Sequence, residues 1–143
     1  MNAPGARRRV LLVEDNPGDV YLIKMALAEH HLDCELVEAT DGRSALSMIR
    51  GGLSGVPDLA ILDLNLPFHS GREVLQAIRS DPAWSNVPVL IFTSSSSPTD
   101  RFDLGALGAT IFLQKPSNLD DFLAVGARVR HLMAPTAPPS RST

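Results

Sequence analysis

Five side chains able to do chemistry stand at the ends of short apolar runs. Glu14 and Asp15 follow 10–13, Asp63 follows 59–62, Thr93 closes 88–93, and Lys115 lies just past 110–113. Carboxylates gathered in one place repel one another, so a cation belongs among them. Their hard oxygens suit Mg²⁺, which takes octahedral geometry and keeps several waters. No His or Cys set with zinc spacing accompanies them; His30 and His31 instead close a helical stretch, where positive charge complements the helix dipole. A divalent ion, a free carboxylate, an amine and a hydroxyl together make a phosphoryl-transfer site. Asp63 would be its nucleophile, because a carboxylate can form an acyl phosphate. Lys115 and the ion would offset charge on the phosphoryl oxygens, and Thr93 would donate a hydrogen bond to one of them. A lone strand-end Asp can equally be a helix cap; the set of five is what capping leaves unexplained.

The elements that must position these groups are legible as alternating strands and helices. The run 59–62 follows a Pro57–Asp58 break and reads as a strand buried on both faces, and Pro67 prevents its continuing as an inner strand. Strands are expected at 9–13, 34–39, 59–62, 88–93 and 110–113. Asn16 and Pro17 open a first helix reaching about His31, with Val20, Ile23 and Leu27 at helical spacing. Asp41–Gly42 opens a second helix carrying Ala45, Leu46 and Ile49, and Val74, Leu75 and Ile78 carry a third toward Ser80. Ser97 and Pro98 open a sparse fourth as far as Leu107, and Ser117 or Asn118 caps a fifth that runs through Gly126. Trp84 is expected to pin its loop to the body. Strand and helix alternating five times implies an α/β fold: a doubly wound, five-stranded parallel sheet in the flavodoxin-like order 2-1-3-4-5. In that order strands one, three, four and five are consecutive, so all five groups face one cleft at the carboxyl ends, where such sheets bind ligands.

Composition narrows the function classes. The chain has 143 residues, 44% of them hydrophobic, which fits one domain at 9–133 between a loose arm at 1–8 and a Pro-rich, disordered tail at 134–143. The formal net charge of −3 gives no basic field for nucleic acid, and Arg7 to Arg9 reads as a solvated flank. Cys34 is the one cysteine and has no internal disulfide partner, which suits a reducing compartment. No apolar run approaches the roughly 18 residues of a membrane span. A soluble, cytoplasmic protein is expected.

The same residues carry a family resemblance. Val10-Leu11-Leu12-Val13-Glu14-Asp15-Asn16-Pro17-Gly18-Asp19, Asp63-Leu64-Asn65-Leu66-Pro67 with Gly71, Thr93, and Phe112-Leu113-Gln114-Lys115-Pro116 resemble the motifs of receiver domains of bacterial two-component response regulators. The likeness spans about Arg9 to Met133 and is similar in form to a stand-alone, phytochrome-associated subgroup. The resemblance implies phosphorylation of Asp63 by a sensor histidine kinase, in this subgroup a bacteriophytochrome. It implies Mg²⁺, with Mn²⁺ as a substitute, held by Asp15, Asp63 and the backbone carbonyl of Asn65, with Glu14 acting through water. Lys115 would pair with the phosphoryl group, and Lys115–Pro116 would be a cis peptide. Thr93 and Phe112 would be the switch pair: Thr93 is drawn to the phosphoryl group and Phe112 turns inward behind it. The surface of the fourth helix, fifth strand and fifth helix would then change for a downstream protein or a phosphotransfer protein. Such a regulator is not an enzyme beyond its own phosphorylation and dephosphorylation, and with no output domain after the last helix it would not bind DNA itself. A homodimer is expected through apolar outer positions of that surface, Phe102 and Phe122 among them. Ser94 stands where a small residue is usual, and Asn65 and Ser95 occupy positions that tune hydrolysis in the family.

Two other functions compete. An Asp-nucleophile phosphatase on a similar fold needs a second acid two residues on, and Asn65 stands there. A receiver-like module that is never phosphorylated would not need all five groups.

Overall fold

Three apolar runs are buried along almost their whole length, which requires cover on both faces. They are β1 (Arg8–Val13), β3 (Leu59–Leu62) and β4 (Val89–Thr93), and they lie side by side in the middle of the sheet. The structure, a computed structural model, describes residues 8–95 and 97–133. At the edges lie β2 (Cys34–Ala39), whose sequence alternates weakly, and β5 (Ile111–Gln114), both only partly buried. Every pairing is parallel and the order is β2-β1-β3-β4-β5. The arm and tail expected at 1–8 and 134–143 fall outside the described residues, except Arg8, which already pairs with Cys34 in β1.

Alternate residues of each strand point to opposite faces, and the core divides accordingly. Leu11, Val13, Ala60, Leu62 and Ile91 pack toward α2 (Gly42–Ser47), α3 (Gly71–Ser80) and α4 (Pro98–Ala106). Val10, Leu12, Ile61, Leu90 and Phe92 pack toward α1 (Pro17–Glu29) and α5 (Leu119–Met133). Trp84 is buried in the first cluster, as its loop-pinning role requires. Among the described residues no helix is long and apolar enough to cross a membrane.

The helix ends follow local chemistry. Asn16 caps α1 and Ser70 forms a capping box with Glu73 at α3. Of the two candidates, Asn118 caps α5: its Oδ1 accepts from the Asp121 N–H at 2.8 Å. α1 stops at Glu29, short of the expected His31, which takes φ 57° outside the helix. α2 ends in a widened turn, Met48–Gly52, where Gly51 adopts φ 109°. Gly126 sits mid-helix because α5 crosses α1 there. A Cβ at that position would lie 2.3 Å from the Ala26 carbonyl oxygen, so only glycine permits the approach.

Candidate functional site

Strand register decides which groups meet. Val13 pairs with Leu62, so the next residues, Glu14 and Asp63, come level at adjoining strand ends. Thr93 pairs with Gln114, so Lys115 emerges one residue beyond, its N–H bonded to the Thr93 carbonyl at 2.7 Å. Gly71 brings the start of α3 against the same corner; a Cβ there would lie 2.1 Å from the Asp63 carbonyl oxygen. The resulting cleft of ≈ 710 Å³ is lined by Glu14, Asp15, Asp19, Asp63, Asn65 and Lys115 among others.

One amine ties this cleft together. Lys115 Nζ lies 2.8 Å from Glu14 Oε1, 2.7 Å from Asp19 Oδ2 and 3.0 Å from Asp63 Oδ2, with its side chain 10% exposed. Glu14 and Asp63 are buried, while Asp15 is exposed at the mouth. Burial pushes the Glu14 carboxyl up to about 7; Lys115 pulls the other way, and the neighbouring Asp63 adds to the rise. Burial also opposes the charge of Lys115, but its bonds to Asp19, Glu14 and Asp63 more than offset this and hold the ammonium well above its ordinary value.

The donor set fits a hard divalent ion. Glu14, Asp15 and Asp63 each offer an oxygen, and these lie within 4.8 Å of one another. Three of the cleft's acids share one ammonium and Asp15 stands beside them without it, which leaves an excess of negative charge for a cation to take up. Asn65 lines the cleft, and its backbone N–H reaches Asp63 Oδ1 at 3.4 Å, a long and weak bond.

The structure brings the five expected strand-end groups to one end of the sheet and adds Asp19, which reasoning from strand ends missed. Its signal was its position in the first turn of α1, behind the Asn16 cap, which accepts from Gly18 N and Asp19 N at 2.8 and 3.2 Å. Thr93 is wholly buried, its Oγ1 accepting from Ser95 N at 3.5 Å. Phe112 is buried in the core, with the Arg101 guanidinium 4.9 Å from its ring centroid.

Two expectations need correction. No described peptide bond is cis, so Lys115–Pro116 is trans. Before proline the trans form is favoured by about 0.5–1 kcal/mol, and the amine reaches all three acids from it. Phe122 is not on the outer surface. It is 4% exposed and meets Phe92 edge-to-face with centroids 5.2 Å apart, whereas Phe102 is 77% exposed.

The family model for the response regulator receiver domain matches residues 10–126. The chain belongs to this family. Response regulator Rcp1 of Synechocystis sp. is 35% identical over 116 residues, covering 78% of this chain and 79% of that protein. The crystal structure of the phosphorylated cyanobacterial phytochrome response regulator RcpA is 34% identical, with a TM-score of 0.83 over 90% of this chain and 94% of that one. The Mn²⁺-bound form of Rcp1 gives a TM-score of 0.82 at 32% identity, over 92% and 99%. The transcriptional regulatory protein TrcR of Mycobacterium tuberculosis is 35% identical over 92% of this chain, which spans 47% of TrcR. The chain is therefore a receiver domain of two-component signalling, on the doubly wound fold its sequence implies.

Proposed function

We propose that this receiver takes a phosphoryl group from a sensor histidine kinase onto Asp63 and signals through the change that follows. The observation that carries the reading is the triple contact of Lys115 Nζ with Glu14, Asp19 and Asp63 beside a carboxylate group fit for a divalent ion. An Asp63 carboxylate oxygen attacks phosphorus; the new O–P bond forms as the P–N bond to the kinase histidine breaks, and the imidazole nitrogen keeps the electron pair. Asp15, Asp63 and the Asn65 backbone carbonyl would hold Mg²⁺ or Mn²⁺, with Glu14 through water. The ion supplies positive charge against the phosphoryl oxygens. Lys115 turns from Asp63 to a phosphoryl oxygen, and the Thr93 hydroxyl donates to another.

A phosphoryl group adds about two negative charges and three acceptors, enough to move Thr93. Phe112 lies on the neighbouring strand, paired with Ile91 two residues before Thr93, and Arg101 of α4 rests on its ring, so the disturbance would run toward α4, β5 and α5. That surface would meet a downstream protein, a phosphotransfer protein or a second copy of the chain, with exposed Phe102 and Leu119 as its apolar contacts. The likeness to RcpA, a phytochrome response regulator, favours a phytochrome-type kinase as donor. Beyond its own phosphorylation and dephosphorylation the protein catalyses nothing in this account.

The test is phosphorylation by a small acyl phosphate with Mg²⁺, followed by intact mass. The chain should gain one phosphoryl group, and Asp63→Asn should gain none while keeping its circular dichroism spectrum. Equal incorporation into Asp63→Asn would sink the assignment.

A further inference from the structure

An ammonium has three N–H bonds to give, and here three carboxylates take them. The shortest contact, 2.7 Å, goes to Asp19, which is 96 residues away in sequence. Glu14 and Asp63 also belong to the acid group whose oxygens lie within 4.8 Å of one another, and Asp19 does not. A divalent ion held by that group would draw on Glu14 and Asp63 and would repel the ammonium beside it. Only Asp19 would then keep its whole charge for Lys115. An acid in the first turn of α1 also suits the helix dipole, but that role needs no contact with Lys115.

We propose that Asp19 is a positioning residue for phosphoryl transfer: it holds the Lys115 ammonium in the cleft alongside the divalent ion, so that the amine is in place when the phosphoryl group arrives. This rests on Asp63 being the phosphoacceptor. Asp19 touches neither the ion nor the phosphoryl group in this account and acts through Lys115 alone. Its effect should therefore vanish once the amine is gone.

The experiment measures the rate of phosphoryl gain on Asp63 from a small acyl phosphate at saturating Mg²⁺. It compares the full chain with Asp19→Asn, Asp19→Glu, Lys115→Ala and the Asp19→Asn/Lys115→Ala double variant. Asp19→Asn should slow the reaction about tenfold, the scale of one charge-assisted hydrogen bond. Asp19→Glu keeps the charge and should recover most of the rate; it also serves as the informative variant if the amide unsettles the start of α1. In the Lys115→Ala background Asp19→Asn should matter less than about twofold, within the scatter of independent sites. An unchanged rate in Asp19→Asn, or the same slowing with and without Lys115, overturns the inference. If the unaltered chain takes no phosphate on Asp63, the phosphoacceptor reading itself falls, and this inference with it.

Discussion

Lys115 and Arg79 are both partly buried cations, and they are held by opposite means. Arg79, in the last turn of α3, donates from Nε to the Gly108 carbonyl at 2.9 Å and from Nη1 to the carbonyls of Ser85 and Val87 at 3.1 and 2.7 Å. Gly108, at φ 107°, gives Arg79 room, since a Cβ there would meet Nε at 2.9 Å. Lys115 is held by three carboxylates instead. A carbonyl has no other claimant: it takes up no proton near neutral pH and forms no ester. Two of the partners of Lys115, Glu14 and Asp63, can instead be claimed by a metal ion, and Asp63 by a phosphoryl group as well. Arg79 is therefore a fixed staple between loops, and Lys115 is a contact built to be exchanged.

The largest effect expected from this contrast is at Lys115. Lys115→Met keeps the stem but leaves Glu14, Asp19 and Asp63 facing one another without a counter-charge. At pH 8 and without divalent ions this should cost about 3 kcal/mol, the scale of breaking a buried ion pair from one side. Mg²⁺ should return more stability to this variant than to the unaltered chain, because it supplies the missing charge. Denaturant unfolding with and without Mg²⁺ measures both quantities. A loss indifferent to Mg²⁺ would erase the distinction between the two cations.

Arg79→Met gives the counterpart, with a smaller cost of about 2 kcal/mol, the scale of leaving partly buried but uncharged carbonyls without their donor. Mg²⁺ should not repair it, and the rate of phosphorylation on Asp63 should not change. A slowed rate in a variant still folded would mean that the staple reaches the cleft after all.

The same contrast explains what the sequence made legible. Inner strands of a doubly wound sheet are continuous apolar runs, so β1, β3 and β4 stood out, and the group following each run marked the cleft. Asp19 escaped because it is carried by a helix rather than a strand end, and only the folded chain brings it to Lys115. Phe122 was legible in principle: Phe122, Gly126, Val129 and Met133 repeat at helical spacing and are the buried stripe of α5, which leaves Leu119 outside. The isomer at Lys115–Pro116 was not legible, because the local preference is under about 1 kcal/mol and the surrounding structure decides it. Nor did the pattern show that Phe112 rests buried under Arg101, since an apolar residue on a half-buried edge strand can face either way.

The smallest effect is a pH dependence confined to one of the two cations' surroundings. Glu14 is raised from 4.5 to about 7, chiefly by burial. Between those values the folded chain holds a proton that the unfolded chain has released. The folded state thus binds more protons, and stability should fall as pH climbs from 4.5 toward 7, the reverse of the usual carboxylate case. The contribution is fully present below the lower value and gone above the higher one. Allowing for the Mg²⁺-free cleft relaxing around the new charge, about 1–2 kcal/mol is expected. Urea unfolding at pH 5 and pH 8, compared with Glu14→Gln, isolates it, because the amide cannot titrate while the other groups remain. Mg²⁺ competes with that proton, so adding it should flatten the slope in the unaltered chain and leave Glu14→Gln less affected. The carbonyls around Arg79 do not titrate, so Arg79→Met should keep the full slope. If Glu14→Gln and the unaltered chain show the same pH dependence, Glu14 is not the exchangeable partner that the contrast with Arg79 requires.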